Sequence, residues 1–250
     1  MIPTLLIFDL DGTLTESKQP LTNEMALRVK HLLTLTRVAV TSGGALPQFL
    51  SQIVEQLPSD TNFAQLYLLP TSGAALYEYQ HKNWKKIYEE RLSEKEAETI
   101  AIAMHEAAEE TGLIDFSQPV YGERIEYRGG QVTLSALGQR APLTEKKVWD
   151  IDHTKRHALQ ELLAKKLPKY LVGIGGATSI DVTKRGIDKA YGIRQLCKRL
   201  HIEESDVLYI GDELGVGGND EAVYKTKARV RNVEDIADTA RIIDEILTGA

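Results

Sequence analysis

The sequence predicts an α/β protein in which a core with a parallel β-sheet is interrupted by an inserted α+β domain. Two observations predict this fold. Short apolar runs alternate with amphipathic helices at both ends of the chain, which is typical of a parallel sheet covered by helices on both faces. The middle of the chain instead contains two pairs of alternating segments joined by Gly-Gly, which are hairpin signals of an antiparallel sheet.

The core is predicted in two parts. In the first part, buried strands are predicted over residues 5–10, 37–41 and 66–69, and helices over residues 22–35 and 46–57. In the second part, a helix over residues 189–200, a strand over residues 206–210 and a helix over residues 234–247 are predicted. The run 82–91 has mixed charge, and we interpret it as a solvated linker at the boundary.

The inserted domain is predicted to contain two helices, each followed by a hairpin. The helices cover residues 93–110 and 153–166, and the hairpins pair 122–128 with 131–137 and 170–174 with 178–182. This assigns residues 1–84 to the first part of the core, 85–185 to the inserted domain and 186–250 to the second part of the core.

Composition excludes several classes of protein. The chain has 250 residues, of which 42% are hydrophobic and 26% are charged, as in soluble globular enzymes and unlike disordered chains. A net charge of −6 argues against an extended nucleic-acid surface but allows a small anionic substrate held by local cations. The single cysteine, Cys197, excludes an intrachain disulfide and fits a reducing compartment. We expect a cytoplasmic protein with no membrane or nucleic-acid partner.

Two carboxylates follow the first predicted strand directly. Asp9 and Asp11 stand two residues apart, before Gly12, at a strand end where open α/β sheets bind ligands. Because like charges so close repel, a cation must offset them, and Mg²⁺ takes carboxylate and phosphate oxygens. One carboxylate could then attack phosphorus while the other transfers protons.

Two simpler interpretations of this motif are less satisfactory. A calcium loop of the EF-hand type requires a third ligand before its glycine, and Gly12 comes too early for that. A strand end with a capping aspartate is common for one Asp, but the complete string Asp9–Thr15 after a strand is less well explained by chance.

Further polar residues follow the other predicted core strands. Thr41 and Ser42 end the second strand before Gly43-Gly44 and open a helix, where a hydroxyl and free N–H groups can bind phosphate. Either hydroxyl could serve, and Ser42 could instead be an ordinary helix cap. Lys189 opens the helix that returns to the core, where a cation is unfavourable for the helix dipole and could neutralise a phosphoryl group.

The last of these elements contains three polar residues. Asp212 ends the strand over residues 206–210 and could complete a metal site. Asn219 and Asp220 follow in a glycine-rich turn, from which they could orient the metal ligands or hold Lys189. The simpler interpretation is a turn with capping residues, but four separate strand-end elements converge on one site.

This order of motifs resembles the haloacid dehalogenase (HAD) superfamily, which has a Rossmann-like core, and the inserted domain resembles the cap of its type IIB (C2B) branch. Within that branch, the chain is most similar to the eukaryotic-type phosphomannomutases. The segments that carry the resemblance are Asp9–Thr15 (DLDGTLT), Tyr67–Tyr77 (YLLPTSGAALY), Ile125–Gly138 (IEYRGGQVTLSALG), Gly175–Tyr191 (GGATSIDVTKRGIDKAY) and Gly211–Asp220 (GDELGVGGND).

The resemblance implies roles for individual residues. Asp9 would be the phosphorylated nucleophile, and Asp11 the general acid/base that also gives a backbone oxygen to Mg²⁺. Asp212 would complete the metal site. In the cap, Arg128 would grip the distal phosphate, whereas Ser179 and Asp181 would hold the sugar and its phosphate.

This sequence departs from the family pattern at several binding positions. Gln139 takes the place of a second cap arginine, with Arg140 next to it, and Lys146 takes the place of a third. Lysine keeps the charge without the planar fork that binds phosphate bidentately, and glutamine loses the charge as well. Lys18 lies where the family has an arginine soon after the first motif.

The resemblance predicts a Mg²⁺-dependent phosphotransferase of the phosphomannomutase type that acts on a small sugar phosphate, with a homodimer through the cap as a possibility. A mutase must retain a bisphosphorylated intermediate, so it needs one anion site at Asp9 and a second in the cap. A sugar-phosphate phosphatase with the same nucleophile needs only the first site, and the weakened cap arginines leave this alternative open. A catalytically idle binding protein is disfavoured because it would not need Asp9, Asp11, Lys189 and Asp212 together.

Overall fold

A computed structural model describes residues 2–249 of the chain, which divide into two compact units. The core unit consists of the residues up to Glu89 together with those from Asp188 onward, and the cap unit is Glu90–Ile187. Each unit has its own β-sheet and its own hydrophobic core.

The first part of the core unit contains β1 (Leu5–Asp9), α1 (Asn23–Leu35), β2 (Arg37–Thr41), α2 (Leu46–Gln52), β3 (Leu66–Leu69), β4 (Ala75–Gln80) and β5 (Asn83–Glu89). The cap unit contains α3 (Glu94–Thr111), β6 (Ile125–Tyr127), β7 (Gln131–Ser135), α4 (Leu143–Trp149), α5 (Thr154–Lys166), β8 (Tyr170–Ile174) and β9 (Ser179–Lys184). The second part of the core unit contains α6 (Lys189–Leu200), β10 (Val207–Gly211), β11 (Arg229–Asn232) and α7 (Ile236–Thr248). Among the described helices, none has the length and hydropathy needed to cross a membrane.

The core sheet has the strand order β11-β10-β1-β2-β3-β4-β5, in which the first five strands are parallel and β4 and β5 are antiparallel. Alternate residues of β1 face two different hydrophobic clusters, with Leu6 and Phe8 on one side and Leu5 and Ile7 on the other. This explains why β1 is apolar along its length. Because β1, β2 and β10 are parallel, the polar residues that end them lie at the same edge of the sheet.

The cap sheet has the order β6-β7-β9-β8 and is antiparallel throughout. Val132 and Leu134 of β7, with Ile180 and Val182 of β9, belong to the hydrophobic cluster that includes residues of α3 and α5. Alternation along a strand puts the intervening residues on the opposite face. That face is polar, and its residues on these two strands are Gln131, Thr133, Ser135, Ser179, Asp181 and Thr183.

The structure corrects the interpretation of residues 82–91 as a linker. Most of this run forms β5, which pairs with β4 along its whole length. The hairpin is anchored by three aromatic rings, since Tyr79 lies 5.2 Å from Phe63 and 5.3 Å from Trp84 between ring centroids. Because this edge strand carries exposed lysine and glutamate residues, its sequence does not show the alternation of apolar and polar residues by which strands are predicted. Three further elements, β4, β11 and α4, were not predicted from the sequence, and α2 ends earlier than predicted, at Gln52.

Candidate active site

The first motif forms a tight turn at the end of β1. The N–H of Gly12 donates to the carbonyl of Thr15 at 2.7 Å. Gly12 has a φ of +92°, a backbone conformation that residues other than glycine rarely adopt. A Cβ at this position would lie 2.2 Å from Oδ2 of Asp212. Glycine is therefore required both by the backbone conformation and by the close approach of Asp212.

Lys189 lies at the centre of the site. It occupies the first position of α6, after Asp188, whose carboxylate caps the helix by accepting from the N–H of Tyr191 at 3.0 Å. Its buried ammonium donates to Oδ1 of Asp9 at 2.6 Å, to Oδ1 of Asn219 at 2.5 Å and to Oδ1 of Asp220 at 2.5 Å. An ammonium has three N–H donors, so each of them has an oxygen acceptor here.

Three carboxylates converge on the same point. Asp9, Asp212 and Asp220 each offer one oxygen atom, and these atoms lie within 4.8 Å of one another. Burial raises the pKa of Asp212 to about 6, and the charge of Asp220 contributes, although Thr13 donates to Asp212 at 3.0 Å. Burial is also the main reason why the pKa of Asp9 lies well above its usual value, against the opposing effect of Lys189. The single ammonium of Lys189 therefore does not neutralise the three carboxylates, and the cluster has an excess of negative charge.

The donor set of this cluster fits a hard divalent cation, because it consists only of carboxylate oxygens. Asp9 and Asp212 were both predicted as metal ligands. Asp220 was predicted to orient the metal ligands or to hold Lys189; its carboxylate accepts from Lys189 and also lies within the cluster.

The side chain of Asp11 is held apart from these three carboxylates. Its Oδ1 accepts from the backbone N–H of Lys18 at 2.6 Å, and its Oδ2 accepts from Nε2 of Gln48 at 3.1 Å. Lys18 thus contributes its backbone to the site, with a left-handed φ of +58°. Gln48 was not predicted as a site residue, although its place in the first turn of α2, after the Ser-Gly-Gly segment, was the available signal.

The two candidate hydroxyls at the end of β2 have different surroundings. Thr41 is in register with Asp9 on the neighbouring strand, so both side chains extend from the same face of the sheet. Its hydroxyl is buried and has no hydrogen-bond partner within residues 2–249. Oγ of Ser42 accepts from the N–H of Gly44 at 3.1 Å, which is a capping contact within its own loop.

A tyrosine that the sequence analysis missed lies directly behind the carboxylates. Tyr209 on β10 is fully buried, and its hydroxyl donates to Oδ1 of Asp220. Burial raises the pKa of Tyr209 well above its usual value, and the negative charges of Asp220 and Asp9 raise it further, so the phenol remains a donor.

In the cap unit, Arg128 and Gln139 lie together. Nε and Nη2 of Arg128 both donate to Oε2 of Glu126, at 2.9 and 2.6 Å, and Nη2 also donates to Oε1 of Gln139 at 2.9 Å. The carboxylate of Glu126 therefore offsets much of the charge of this guanidinium. The side chain of Arg140, the next residue, instead lies against Gly122.

Ser179 and Asp181 lie on the polar face of the cap sheet, opposite Ser135 and Thr133 of β7. Oγ1 of Thr133 donates to Oδ1 of Asp181 at 2.8 Å, and the hydroxyls of Ser179 and Ser135 are 3.4 Å apart. Lys146 is buried on α4. The predicted cap residues therefore include two contacting groups, one around Arg128 and one around Asp181.

The comparisons with known proteins agree with this architecture. A sequence model of the eukaryotic phosphomannomutase family matches residues 28–249. The chain belongs to this family. Phosphomannomutases of this family generally use a divalent metal, and the carboxylate cluster has suitable donors for one.

Individual relatives match over nearly the full chain. The phosphomannomutase of Nicotiana benthamiana is 28% identical over 257 residues, covering 98% of this chain and 94% of that protein. The phosphomannomutase of Saccharomyces cerevisiae is 25% identical, covering 97% of this chain and 94% of that protein.

Solved structures show the same fold. An IMP-bound IMP-nucleotidase of Plasmodium falciparum matches with a TM-score of 0.74 at 16% identity, covering 98% of this chain and 68% of that chain. A haloacid dehalogenase-like hydrolase of Bacteroides thetaiotaomicron matches with a TM-score of 0.64 at 18% identity, covering 98% of this chain and 99% of that chain.

Proposed function

We propose that this protein transfers phosphoryl groups on hexose phosphates through a covalent aspartyl phosphate at Asp9, and that its reaction interconverts mannose 6-phosphate and mannose 1-phosphate. The observation that carries the proposal is the buried carboxylate of Asp9 at the end of β1, 2.6 Å from the ammonium of Lys189. Membership of the phosphomannomutase family supports the choice of reaction and substrate class.

The first half of the reaction phosphorylates the enzyme. A carboxylate oxygen of Asp9 forms a bond to phosphorus, and the bond from phosphorus to the sugar oxygen breaks. The electron pair of that bond stays with the sugar oxygen, which takes a proton from Asp11. Lys189 stabilises the charge on the transferring group. In the second half, Asp11 removes a proton from the acceptor hydroxyl, which attacks the phosphorus of the aspartyl phosphate and releases Asp9.

We assign Mg²⁺ to the carboxylate cluster. The side chains of Asp9 and Asp212, with the backbone oxygen of Asp11, would hold it, and Asn219 and Asp220 would orient the site. When bound, Mg²⁺ would neutralise the clustered carboxylates and polarise the phosphoryl oxygens. The lack of positive charge around Asp9, Asp212 and Asp220 supports this assignment.

We assign the phosphate-binding hydroxyl to Thr41 in preference to Ser42. The Thr41 hydroxyl is buried beside Asp9 without a protein partner, and a buried hydroxyl without a hydrogen bond is costly. A phosphoryl oxygen on Asp9 would satisfy it. The Ser42 hydroxyl already caps its own loop.

We propose the cap residues as the second anion site that a mutase requires. Arg128, with Lys146 and Arg140, would supply the positive charge for the distal phosphate, and Ser179 and Asp181 would bind sugar hydroxyls. Lys18 would add a further cation next to the first motif. Oε1 of Gln139 accepts a hydrogen bond from Arg128, which orients the guanidinium.

A second candidate function is a sugar-phosphate phosphatase with the same nucleophile. The observation that favours it is the pairing of Arg128 with Glu126 at 2.6 Å, which weakens the attraction of the cap for a second phosphate. If the cap releases the dephosphorylated sugar product while Asp9 is still phosphorylated, water attacks the phosphorus of the aspartyl phosphate instead, and inorganic phosphate leaves as the carboxylate of Asp9 is released.

The test is a phosphate-transfer assay with Mg²⁺ and the Asp9→Asn variant. Asp9→Asn should abolish turnover, whereas the control Asp60→Asn, which removes only an exposed ion pair with Lys30, should retain it. Undiminished turnover in Asp9→Asn would contradict the mechanism. To separate the two functions, the protein is incubated with mannose 1-phosphate and a trace of glucose 1,6-bisphosphate. Mannose 6-phosphate indicates the mutase, and free mannose with inorganic phosphate indicates the phosphatase.

A further inference from the structure

We propose that Tyr209 is a positioning residue for phosphoryl transfer, which acts through Asp220 to make the ammonium of Lys189 available to the transferring group. This inference rests on the proposed function, because it assumes that Asp9 is phosphorylated. Tyr209 itself does not contact Asp9 in any described hydrogen bond, so its effect must pass through Asp220 and Lys189.

The geometry begins with a fully buried phenol. Tyr209 belongs to the hydrophobic cluster on the α6 side of the sheet, where Ile193 and Leu196 also lie. Its ring is surrounded by apolar side chains, and its hydroxyl reaches Oδ1 of Asp220. The same oxygen atom accepts from Lys189 at 2.5 Å. One carboxylate oxygen is thus shared by a phenol and an ammonium.

A glycine makes this arrangement possible. A Cβ at Gly211 would lie 2.4 Å from Oδ2 of Asp220 and 2.8 Å from Cε1 of Tyr209. The two side chains therefore meet over a backbone position that any larger residue would block. Oδ2 of Asp220 accepts from the N–H of Glu213 at 3.3 Å, which fixes the other end of the carboxylate.

The number of donors on Lys189 explains what Tyr209 contributes. All three N–H donors of the ammonium already have acceptors, on Asp9, Asn219 and Asp220. When a phosphoryl group arrives, the ammonium must turn at least one N–H donor toward the phosphoryl oxygens. The ammonium stays closest to the acceptor that attracts it most strongly. The phenol satisfies part of the negative charge on Oδ1 of Asp220, which weakens the hold of that oxygen on Lys189.

Without the hydroxyl, Asp220 would hold Lys189 more tightly and stabilise the transferring group less. The loss falls on the transition state, because there the phosphoryl oxygens must compete with Asp220 for the ammonium. Binding of the sugar phosphate itself involves residues that Tyr209 does not contact. We therefore expect Tyr209→Phe to lower kcat about tenfold, with KM changed by less than about twofold, as for the loss of one hydrogen bond to a charged group.

The matched control is Tyr67→Phe. Tyr67 is a buried tyrosine on β3 of the same sheet and packs in the same hydrophobic cluster, but its hydroxyl lies near Arg37 and Glu78. If a buried phenol served only the stability of this sheet, both variants would change the melting temperature and neither would change kcat. The proposal requires that kcat falls in Tyr209→Phe and stays unchanged in Tyr67→Phe.

A double-mutant cycle with Asp220→Asn tests the route of the effect. If Tyr209 acts through Asp220, then Tyr209→Phe should lower kcat further by less than about twofold in the Asp220→Asn background. Calorimetric titration with Mg²⁺ gives a readout independent of turnover. The Mg²⁺ dissociation constant should be the same in Tyr209→Phe and in the unaltered protein, because the phenol acts on the lysine side of Asp220.

The proposal is overturned by an unchanged kcat in Tyr209→Phe, by an effect that is fully additive with Asp220→Asn, or by a loss of Mg²⁺ affinity that matches the loss of kcat. If Tyr209→Phe does not fold, the phenol is structural and the proposal is wrong. Turnover in Asp9→Asn would instead refute the proposed function, whatever the result for Tyr209, so the two failures are distinguishable.

Discussion

The contact between Gly12 and Asp212 allows a sharp test of the metal site. Gly12→Ala would place a methyl group 2.2 Å from Oδ2 of Asp212, at a backbone φ of +92°. Two separate effects follow. The backbone strain costs about 1–3 kcal/mol of unfolding free energy, whether or not a metal is present. The methyl group also forces the carboxylate of Asp212 to rotate, which removes one of the three converging carboxylates.

The second effect should dominate once Mg²⁺ is added. At a free concentration of 100 times its dissociation constant, a ligand of the folded state adds about 2.7 kcal/mol to the unfolding free energy. We expect the unaltered protein to gain this amount and Gly12→Ala to gain almost none. Without metal the variant should show only the strain, because moving Asp212 also relieves its repulsion from Asp220.

The assay is urea unfolding with and without Mg²⁺, combined with a Mg²⁺ titration by calorimetry. The control is Gly112→Ala, since Gly112 caps α3 with a φ of +63° and a Cβ there would meet nothing within 4 Å. This control carries backbone strain without a collision, so it should lose stability by about 1 kcal/mol and keep the full gain from Mg²⁺. An equal gain from Mg²⁺ in both variants would refute the role of Gly12 and Asp212 in the metal site.

Three further predictions concern the hydrogen bonds and ion pairs of other carboxylates. Lys189→Met leaves two buried carboxylates without their cation and should lower the unfolding free energy at pH 7 by about 3 kcal/mol in urea titrations. In the cap, burial raises the pKa of Asp150, but N–H donors from Arg156 and Lys155 outweigh this and hold the pKa below its usual value. A carboxyl group whose pKa is lower in the folded than in the unfolded protein stabilises the fold at pH values above its unfolded pKa. Asp150→Asn should therefore lower the unfolding free energy by about 2 kcal/mol at pH 7. This difference from the unaltered protein should vanish as the pH of the unfolding series falls below about 4. Gln48→Leu removes one of the donors to Asp11 and should lower kcat about tenfold relative to the control Gln56→Leu, a half-buried glutamine whose amide donates to the carbonyl of Ser51.

The inner strands of the parallel part of the core were predictable because they are buried on both faces. β2 and β3 coincide with the predicted segments, since an apolar run between polar residues leaves no freedom in where such a strand lies. The long helices were predictable from period and caps, and Lys189–Leu200 matches the predicted bounds. The edge strands β5 and β11 escaped because their exposed residues are charged, so burial does not mark them in the sequence.

The residues of the site were predictable to the extent that the chemistry marks them. An aspartate that directly follows a predicted strand is recognisable as a site candidate from its position alone, because the carboxyl ends of parallel strands meet at one edge of the sheet. Tyr209 carries no such signal, and the place of Gln48 in the first turn of α2, after the Ser-Gly-Gly segment, is only a weak one. A glutamine in a first helical turn and a tyrosine inside an apolar strand are both ordinary, and only the tertiary structure brings them to Asp11 and to Asp220.

Asp220 shows why spacing alone was insufficient. It stands eight residues after Asp212, and in an extended segment that separation would carry it far from the metal site. The loop instead folds back, because the N–H of Asp220 donates to the carbonyl of Glu213 at 3.0 Å. This closure needs Gly218, where a Cβ would lie 2.1 Å from that same carbonyl oxygen. The glycines between the two aspartates were therefore the signal that Asp220 returns to the carboxylate cluster, and it is this return that places one carboxylate in contact with both Lys189 and Tyr209.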